Sequence, residues 1–300
     1  MDFLRPADWE EALALKAAHP DAVPLAGGTD LMVELNFARR RPERLLDLGR
    51  VPGLRSWHED REAGTVVLGA SVPFSEIVAR LRPRLPALAL ASHTVGSPQI
   101  RNRGSVGGNL GTASPAGDAH PALLASGARV EAASVRGTRL IPVEEFFLGP
   151  KRNALAPDEL IRAVHVTAAR GPQQFAKVGT RNAMVIAVCA FSLALDPAAR
   201  TVRTGIGSAA PTPVRATAAE EFLTGVLEEG GHWESRRPVP PAAAGEFARL
   251  ATTACAPIDD VRGTAAYRRH AIRVLARRTL HWTWAAHAAD PAPRGDAACA

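Results

Sequence analysis

The segment that decides the fold is a glycine-rich run, which reads Gln99-Ile100-Arg101-Asn102-Arg103-Gly104-Ser105-Val106-Gly107-Gly108-Asn109 and continues Leu110-Gly111-Thr112-Ala113-Ser114-Pro115-Ala116-Gly117-Asp118. Its Gly, Ser, Asn and Thr content predicts a loop from residue 94 to residue 117. Glycine lets the main chain approach a ligand closely and adopt positive φ, and successive N–H groups can then form an anion-binding concavity. The run therefore fits either a loop that binds a phosphate-bearing ligand or an ordinary set of tight turns.

A second glycine pair occurs earlier, in Leu25-Ala26-Gly27-Gly28-Thr29-Asp30-Leu31, directly after a predicted strand. Two such loops from one domain can clamp a dinucleotide, with a downstream carboxylate such as that of Asp118 accepting a hydrogen bond from a ribose hydroxyl. A lone glycine pair is more often a plain turn. The fingerprints of other nucleotide folds are absent, because there is no G-x-x-x-x-G-K-[ST] and Gly104-x-x-Gly107 lacks the Rossmann spacing.

Composition limits the class of protein. The 300 residues are 46% hydrophobic, which suits about two domains with cores of their own and excludes a disordered chain. The net charge is +6, but the arginines are scattered and the aromatic residues, at 5%, do not interleave with them, so nucleic-acid binding is a less favoured alternative. The three cysteines show no Cys-x-x-Cys pattern, so we expect no metal site in this chain.

The ends and apolar runs of the chain bear on its location. The first residues show no apolar signal region, and the longest apolar run, 183–191, is too short for a membrane helix. We therefore predict a cytoplasmic protein without a membrane span.

Apolar patterning alternates predicted strands and helices with short connections, which indicates an α+β architecture. Strands are predicted at 22–26, 45–48, 65–70, 128–135, 138–141, 160–166, 175–178, 186–195 and 202–208. Helices are predicted from Trp9, capped by Asp8, to the Pro20 stop, and at 74–81, 87–91, 119–126, 220–227, 243–253 and 262–287, while 31–37 is either helix or strand. The Gly- and Pro-interrupted segments 150–157 and 168–172 are candidate domain boundaries.

Shorter motifs accompany the two glycine segments: Arg44-Leu45-Leu46-Asp47-Leu48, Lys177-Val178-Gly179-Thr180-Arg181, Pro211-Thr212-Pro213-Val214-Arg215-Ala216 and Asp260-Val261-Arg262-Gly263-Thr264-Ala265-Ala266-Tyr267-Arg268-Arg269. With them the chain resembles, over residues 2–285, the FAD-binding medium subunits of the molybdenum hydroxylases, the family of xanthine dehydrogenase, aldehyde oxidoreductase and aerobic carbon monoxide dehydrogenase. The resemblance implies an FAD-binding domain of the vanillyl-alcohol-oxidase type at 1–172, with subdomains at about 1–54 and 55–172. A C-terminal domain at 173–287, a small antiparallel sheet with helices, would follow, and then a disordered tail at 288–300.

The resemblance also implies cofactor-binding residues. The two loops that bind the FAD diphosphate through main-chain N–H groups would be Leu25, Ala26, Gly27, Gly28, Thr29, Asp30 and Leu31, and Ser105, Val106, Gly107, Gly108 and Asn109. Asp118 falls at a ribose-binding position, Thr112 and Ser114 would line the flavin side, Leu160 or Ile161 would pack near the adenine or flavin, and Lys177 and Ile186 would lie beside the isoalloxazine ring. Val95 stands where some relatives stack an aromatic residue on the adenine, so only apolar contact is expected there.

The function implied by the resemblance belongs to a complex. The chain itself would hold no catalytic residue, although Lys177 or Arg181 could tune the flavin. Molybdopterin would lie on a large subunit and [2Fe–2S] clusters on a small subunit, and electrons would pass through FAD to NAD⁺, oxygen or another acceptor. A stand-alone FAD-dependent oxidase of the same fold and a basic nucleic-acid-binding protein remain the alternatives.

Overall fold

The computed structural model describes residues 1–289, and over that range the chain forms four β-sheets connected and covered by helices. The strands are β1 (Asp2–Leu4), β2 (Val23–Leu25), β3 (Arg44–Asp47), β4 (Trp57–Asp60), β5 (Thr65–Gly69), β6 (Arg129–Ser134), β7 (Gly137–Pro142), β8 (Phe147–Gly149), β9 (Arg152–Asn153), β10 (Leu160–Thr167), β11 (Gln173–Val178), β12 (Cys189–Asp196) and β13 (Thr201–Gly207). The helices are α1 (Trp9–Ala18), α2 (Leu31–Asn36), α3 (Phe74–Arg80), α4 (Pro86–His93), α5 (Pro98–Arg103), α6 (Val106–Thr112), α7 (Ala119–Ala125), α8 (Val143–Phe146), α9 (Thr217–Glu229), α10 (His232–Ser235), α11 (Pro241–Thr253) and α12 (Ala265–Ala289).

The first sheet is parallel, with strand order β1-β3-β2. Helix α1 begins after Asp8, whose carboxylate accepts a hydrogen bond from the Glu11 amide at 2.8 Å, as an N-cap residue does. The apolar side of α1 buries Trp9 and Ala12 in a small core that also includes Leu160 of β10. This core fixes the first sheet against the second.

The second sheet is antiparallel, with strand order β4-β5-β10-β6-β7. One face carries fully buried side chains such as Val66, Leu68 and Val164, and α3, α4, α6 and α7 contribute the facing half of the same core. Alternation along β5 sends Val67 to the opposite face, where α1 and the chain around Leu54 lie. The strand ends of this sheet and of the first sheet face each other across the ligand cavity described below.

The last third of the chain forms an antiparallel meander, β11-β12-β13, covered by α9, α11 and α12. Its core includes an edge-to-face contact between Phe191 and Phe247, with ring centroids 6.3 Å apart. The buried Arg268 of α12 donates to the Val188 and Ser208 carbonyls, each at 2.6 Å, and pairs with Asp260 at 2.6 Å. The protein thus supplies two carbonyl oxygens and one carboxylate to this buried charge.

This architecture confirms the α+β prediction, whereas the predicted loop from residue 94 to residue 117 is wrong. That segment holds α5 and α6, and each helix starts with a serine whose hydroxyl accepts an amide hydrogen bond: Ser97 from Ile100 at 3.3 Å and Ser105 from Gly108 at 3.1 Å. The glycines of α6 disfavour a helix by propensity, but they allow it to pack closely on Ala70, directly after β5, and on Ile161 of β10. Tertiary packing therefore overrides propensity here.

Element boundaries also differ from prediction, and strand β12, helix α12 and the predicted tail are examples. Strand β12 begins at Cys189, so Ile186 lies in the preceding loop, where its side chain is 61% exposed. Helix α12 begins at residue 265, because Asp260 and Gly263 bond to each other in a turn. It continues through Ala289, so residues 288 and 289 are helical rather than the start of a tail; residues 290–300 of the predicted tail lie outside the described residues.

Several elements were not predicted, namely β1, β4, β8, β9, α8 and α10. All are four residues or fewer, too short to show a period in the sequence. The proposed boundaries near residues 54 and 172 remain predictions. Within residues 1–289, no helix combines the length and the apolar character needed to cross a bilayer.

Candidate functional site

The two glycine segments meet in space. A Cβ atom on Gly27 would lie 1.9 Å from the carbonyl oxygen of Arg103, so only glycine fits where the first loop touches the second. The Thr112 hydroxyl at the end of α6 donates to the Asp30 carboxylate at 3.1 Å. The two loops therefore form one continuous surface.

Two cavities open on this surface, one of about 400 Å³ and one of about 180 Å³. The larger lies within the range typical of small-molecule sites. The residues that line both cavities are Pro24, Ala26, Asp30, Leu31, Gly108 and Thr112. A ligand that occupies both cavities must therefore cross the line where the loops meet.

The loops differ in the main-chain donors that they offer. In the described part of the chain, the amides of residues 28–30 donate to no protein acceptor, and Gly28 has the positive φ of +77° that suits a turn open to an anion. In the second loop the Gly107 amide donates to the Ala70 carbonyl at 3.2 Å and the Gly108 amide to the Ser105 hydroxyl at 3.1 Å. The first loop thus offers free donors at three consecutive residues, whereas the amides of Gly107 and Gly108 in the second loop are bonded within the protein.

The glycine pair of the second loop has two separate roles. A Cβ atom on Gly107 would lie 2.5 Å from the Ala70 carbonyl oxygen, so this glycine is needed for packing α6 on the sheet. A Cβ atom on Gly108 would come near only the hydroxyl oxygen of Ser105, at 3.3 Å. Because Gly108 lines both cavities, a larger side chain there would project into the ligand space.

A buried ion pair lies beside the smaller cavity. Lys177 of β11 donates to the Asp118 carboxylate at 2.7 Å and to the Thr94 carbonyl at 3.3 Å, next to the cavity residue Val95. Burial raises the pKa of Asp118 to about 6, against the opposing effect of the Lys177 charge. The second carboxylate oxygen, Oδ1 of Asp118, has no hydrogen-bond partner among the described residues.

Two further buried oxygens lack partners in the described structure and lie at the cavities: Oδ1 of Asn109 and Oγ of Ser71. Unpaired buried polar atoms are rare in folded proteins and point to a bound group or water. Together with the free amides of residues 28–30, they give this site acceptors and donors suited to a ligand with hydroxyl groups and a diphosphate.

A buried histidine supports the second loop from behind. Nε2 of His120 donates to the Asn109 carbonyl at 3.3 Å, and burial lowers the pKa of His120 to about 4, so its ring is neutral at physiological pH. A Cβ atom on Gly117 would lie 2.2 Å from this ring, which explains the glycine. Sequence reasoning gave His120 no role.

Most predicted site residues lie at the cavities. The larger is lined by Ala26, Asp30, Leu31, Gly107, Gly108, Thr112, Leu160 and Ile161, and the smaller by Leu25, Ala26, Gly27, Gly28, Thr29, Asp30, Leu31, Val95, Ser105, Gly108, Asn109 and Thr112. The side chain of Val106 is in the core instead. Five further predicted residues line neither cavity: Ser114, Asp118, Lys177, Arg181 and Ile186.

Arg181 is one of those five. Its exposed guanidinium donates to the Ala183 and Met184 carbonyls and is thereby held on its own loop.

Sequence reasoning missed other lining residues: Lys16, Glu34, Arg40, Ser71, Phe74, Ile100, Lys151 and Asn153. Apart from Ile100, which stands in the glycine-rich run, they belong to no motif. The one available signal was that Lys16 and Lys151 are two of only three lysines in an arginine-rich chain. Lys16 is buried and donates to the Pro20 and Ala22 carbonyls, at 2.8 and 2.7 Å.

The described residues hold no group of three or more His, Cys, Asp or Glu side chains that could bind a metal ion. Cys189 and Cys255 are buried, and burial raises their pKa values to about 12 and about 11, so both remain thiols.

Comparison with known proteins gives two family matches and close relatives. Residues 1–168 match the family of the FAD binding domain in molybdopterin dehydrogenase, and residues 174–283 match the CO dehydrogenase flavoprotein C-terminal domain. The chain is 32% identical to the nicotine 6-hydroxylase medium subunit of Paenarthrobacter nicotinovorans, over 93% of this chain and 95% of that protein. It is 32% identical to the xanthine dehydrogenase FAD-binding subunit of Escherichia coli O157:H7, over 73% of this chain and 77% of that protein.

A solved structure of carbon monoxide dehydrogenase from Hydrogenophaga pseudoflava, which lacks the Mo-pyranopterin moiety, is similar throughout. It superposes with a TM-score of 0.86 at 29% identity and covers 95% of this chain and 97% of that chain. The similarity thus includes both glycine loops and the C-terminal meander.

We predict that Gly108→Val lowers the affinity for FAD by at least about tenfold, which corresponds to a loss of roughly 1.4 kcal/mol of binding free energy. The added side chain fills ligand space, whereas Gly107→Val overlaps the Ala70 carbonyl and disrupts folding. Flavin content and melting temperature are measured for both variants, with Gly225→Ala, where a Cβ atom meets nothing within 4 Å, as the control. Wild-type affinity for FAD in folded Gly108→Val would contradict the placement of the ligand beside Gly108.

We also predict a pH dependence that comes from Asp118. Because its pKa is about 6 in the folded chain and 3.8 as the ordinary value, the folded state binds a proton that the unfolded chain has lost. The contribution of Asp118 to the free energy of unfolding of the FAD-free chain is therefore largest below about pH 4 and falls as pH rises through 6, by up to about 3 kcal/mol. Denaturant titrations across this range should show the decline in the wild type and its loss in Asp118→Asn; equal profiles would count against the buried carboxylate.

Proposed function

The chain belongs to the family of FAD-binding subunits of molybdopterin-containing dehydrogenases, and from that premise we propose that it is the electron-transferring subunit of a multisubunit molybdenum hydroxylase. In this proposal a large subunit with molybdopterin oxidises the substrate and a small subunit carries [2Fe–2S] clusters. FAD in this chain links the clusters to NAD⁺ or another acceptor. The observation that carries the proposal is the junction of the two glycine loops at Gly27 and Arg103, which places both along the same pair of cavities.

The residues present fit FAD. The free amides of residues 28–30 would donate to its diphosphate, and Gly108 would let the diphosphate approach α6. The unpaired oxygens of Asn109 and Asp118 would accept hydrogen bonds from hydroxyl groups of the cofactor. When bound, FAD supplies the reversible electron chemistry, and the chain supplies orientation and electrostatics.

Lys177 is better placed than Arg181 to stabilise negative charge on the cofactor. Its side chain is only 7% exposed, and a charge in such surroundings is weakly screened. The guanidinium of Arg181 is exposed and bonded within its own loop. We therefore assign electrostatic tuning of the flavin to Lys177, with Asp118 setting its orientation.

The proposed function is tested on the protein purified with the subunits that accompany it. A visible spectrum with flavin bands that dithionite bleaches, together with iron and molybdenum in the same complex, is the expected result. Flavin in a chain that never associates with metal-containing subunits would favour a stand-alone oxidase. A colourless protein with salt-dependent affinity for DNA would favour nucleic-acid binding.

We predict that Lys177→Met retains FAD but makes its reduction potential more negative by about 30 mV, which corresponds to roughly 1.4 kcal/mol for a two-electron couple. The lost positive charge no longer favours the reduced cofactor. Potentials are measured by dye-coupled titration, with Arg181→Met as the control variant that keeps the wild-type value. An unchanged potential in Lys177→Met would remove the tuning role.

A further inference from the structure

Helix α2 follows the first glycine loop directly and is weakly held by apolar packing. None of its six residues is buried, and Met32 and Val33 are 45% and 48% exposed. Elements with so few buried contacts belong to the least stable parts of a fold and open locally at low cost. Polar contacts must therefore hold α2 in place.

Two side-chain contacts join α2 to elements on the other side of the larger cavity. At its start, Asp30 accepts a hydrogen bond from Thr112 of α6 at 3.1 Å. One turn later, Glu34 accepts a hydrogen bond from Lys151 at 2.5 Å. All four of these residues line the larger cavity, so both contacts bridge its walls.

The Lys151 side of the bridge is fixed. Lys151 is at the tip of the β8–β9 hairpin, where φ is +57°, and its amide donates to the Ala113 carbonyl at 2.9 Å. Asn153 in the same hairpin donates to the Gly111 carbonyl at 3.0 Å. The hairpin is thus tied to the end of α6, and the Lys151–Glu34 pair joins this anchored wall to the weakly held helix.

We propose that Glu34 and Lys151 are positioning residues of the cofactor site, whose ion pair holds α2 closed over the larger cavity and thereby slows the escape of bound FAD. The proposal rests on the proposed function, from which the identity of the ligand is taken. Within residues 1–289, neither Glu34 nor Lys151 forms a second ion pair.

The charges around the pair favour its formation at neutral pH. The hydrogen bond from Lys151 lowers the pKa of Glu34, and the charges of Arg39 and Arg40 act in the same direction. The Lys151 side chain is 63% exposed, so dissolved salt reaches the pair and weakens it. The release of FAD should therefore accelerate with ionic strength.

The test is a charge exchange in the flavin-containing complex as purified, loaded with radiolabelled FAD and chased with excess unlabelled FAD. Glu34→Lys and Lys151→Glu should each speed release about two- to five-fold, the range that an exposed ion pair can account for. The double variant, which restores opposite charges with exchanged positions, should return release to within about twofold of the wild type. The melting temperature of each FAD-free variant is compared with that of the wild type, and equal values are expected because the exposed pair adds little to folding.

The matched control is the ion pair between Glu246 and Arg249 on α11, which is similarly exposed and lines neither cavity. Glu246→Lys should leave the release rate unchanged. In the wild type, release should accelerate between low and high salt, and this dependence should be lost in Glu34→Gln.

Three results would overturn the proposal: FAD release rates that do not change in either single variant, a double variant that releases FAD as fast as the single variants, or salt dependence that persists in Glu34→Gln. Tight FAD binding with equal release rates in all variants would defeat this proposal alone. A complex that binds no FAD at all would defeat the proposed function together with it.

Discussion

The contact between Gly27 and Arg103 is the constraint on which the ligand site depends. A methyl group at Gly27 would lie 1.9 Å from the Arg103 carbonyl oxygen, so the two loops can share one surface only while residue 27 has no side chain. From that contact follow the positions of the free amides at residues 28–30 and of Gly108 across from them. A similar closeness at Gly107 seats α6 on the second sheet. The shape of the cavities thus depends on these two glycines, at which main-chain segments approach too closely to leave room for a side chain.

Electrostatics divides the site into a main-chain part and a side-chain part. The loops offer uncharged donors, while a buried pair of opposite charges, Asp118 and Lys177, lies at the edge of the smaller cavity. Lys177 comes from β11 and Asp118 from the start of α7, so the pair joins the regions that match the two family domains. A cofactor bound there would be held by the first region and influenced by the second.

The longer elements could be predicted from the periodic spacing of their apolar residues, and the glycine-rich segments could be recognised from their composition. Strand β5 and helix α1 follow from apolar spacing and from the Asp8 cap, and the glycine pairs mark the loops. Sequence reasoning failed for α5 and α6, because their helices depend on serine caps and on packing against Ala70, which composition hides. It missed Glu34, Lys151 and His120 for a related reason: their roles arise from partners distant in sequence, and no local pattern identifies them.

The diphosphate of FAD should bind where the two glycine loops meet. The most direct measurement is a crystal structure of the flavin-containing protein. We expect the diphosphate oxygens within hydrogen-bond distance of the amides of residues 28–30 and packed against Gly108, with the two ends of the cofactor in the two cavities. Flavin density elsewhere, for example in the separate groove lined by His58, Glu131 and His165 on the outer face of the second sheet, would contradict it.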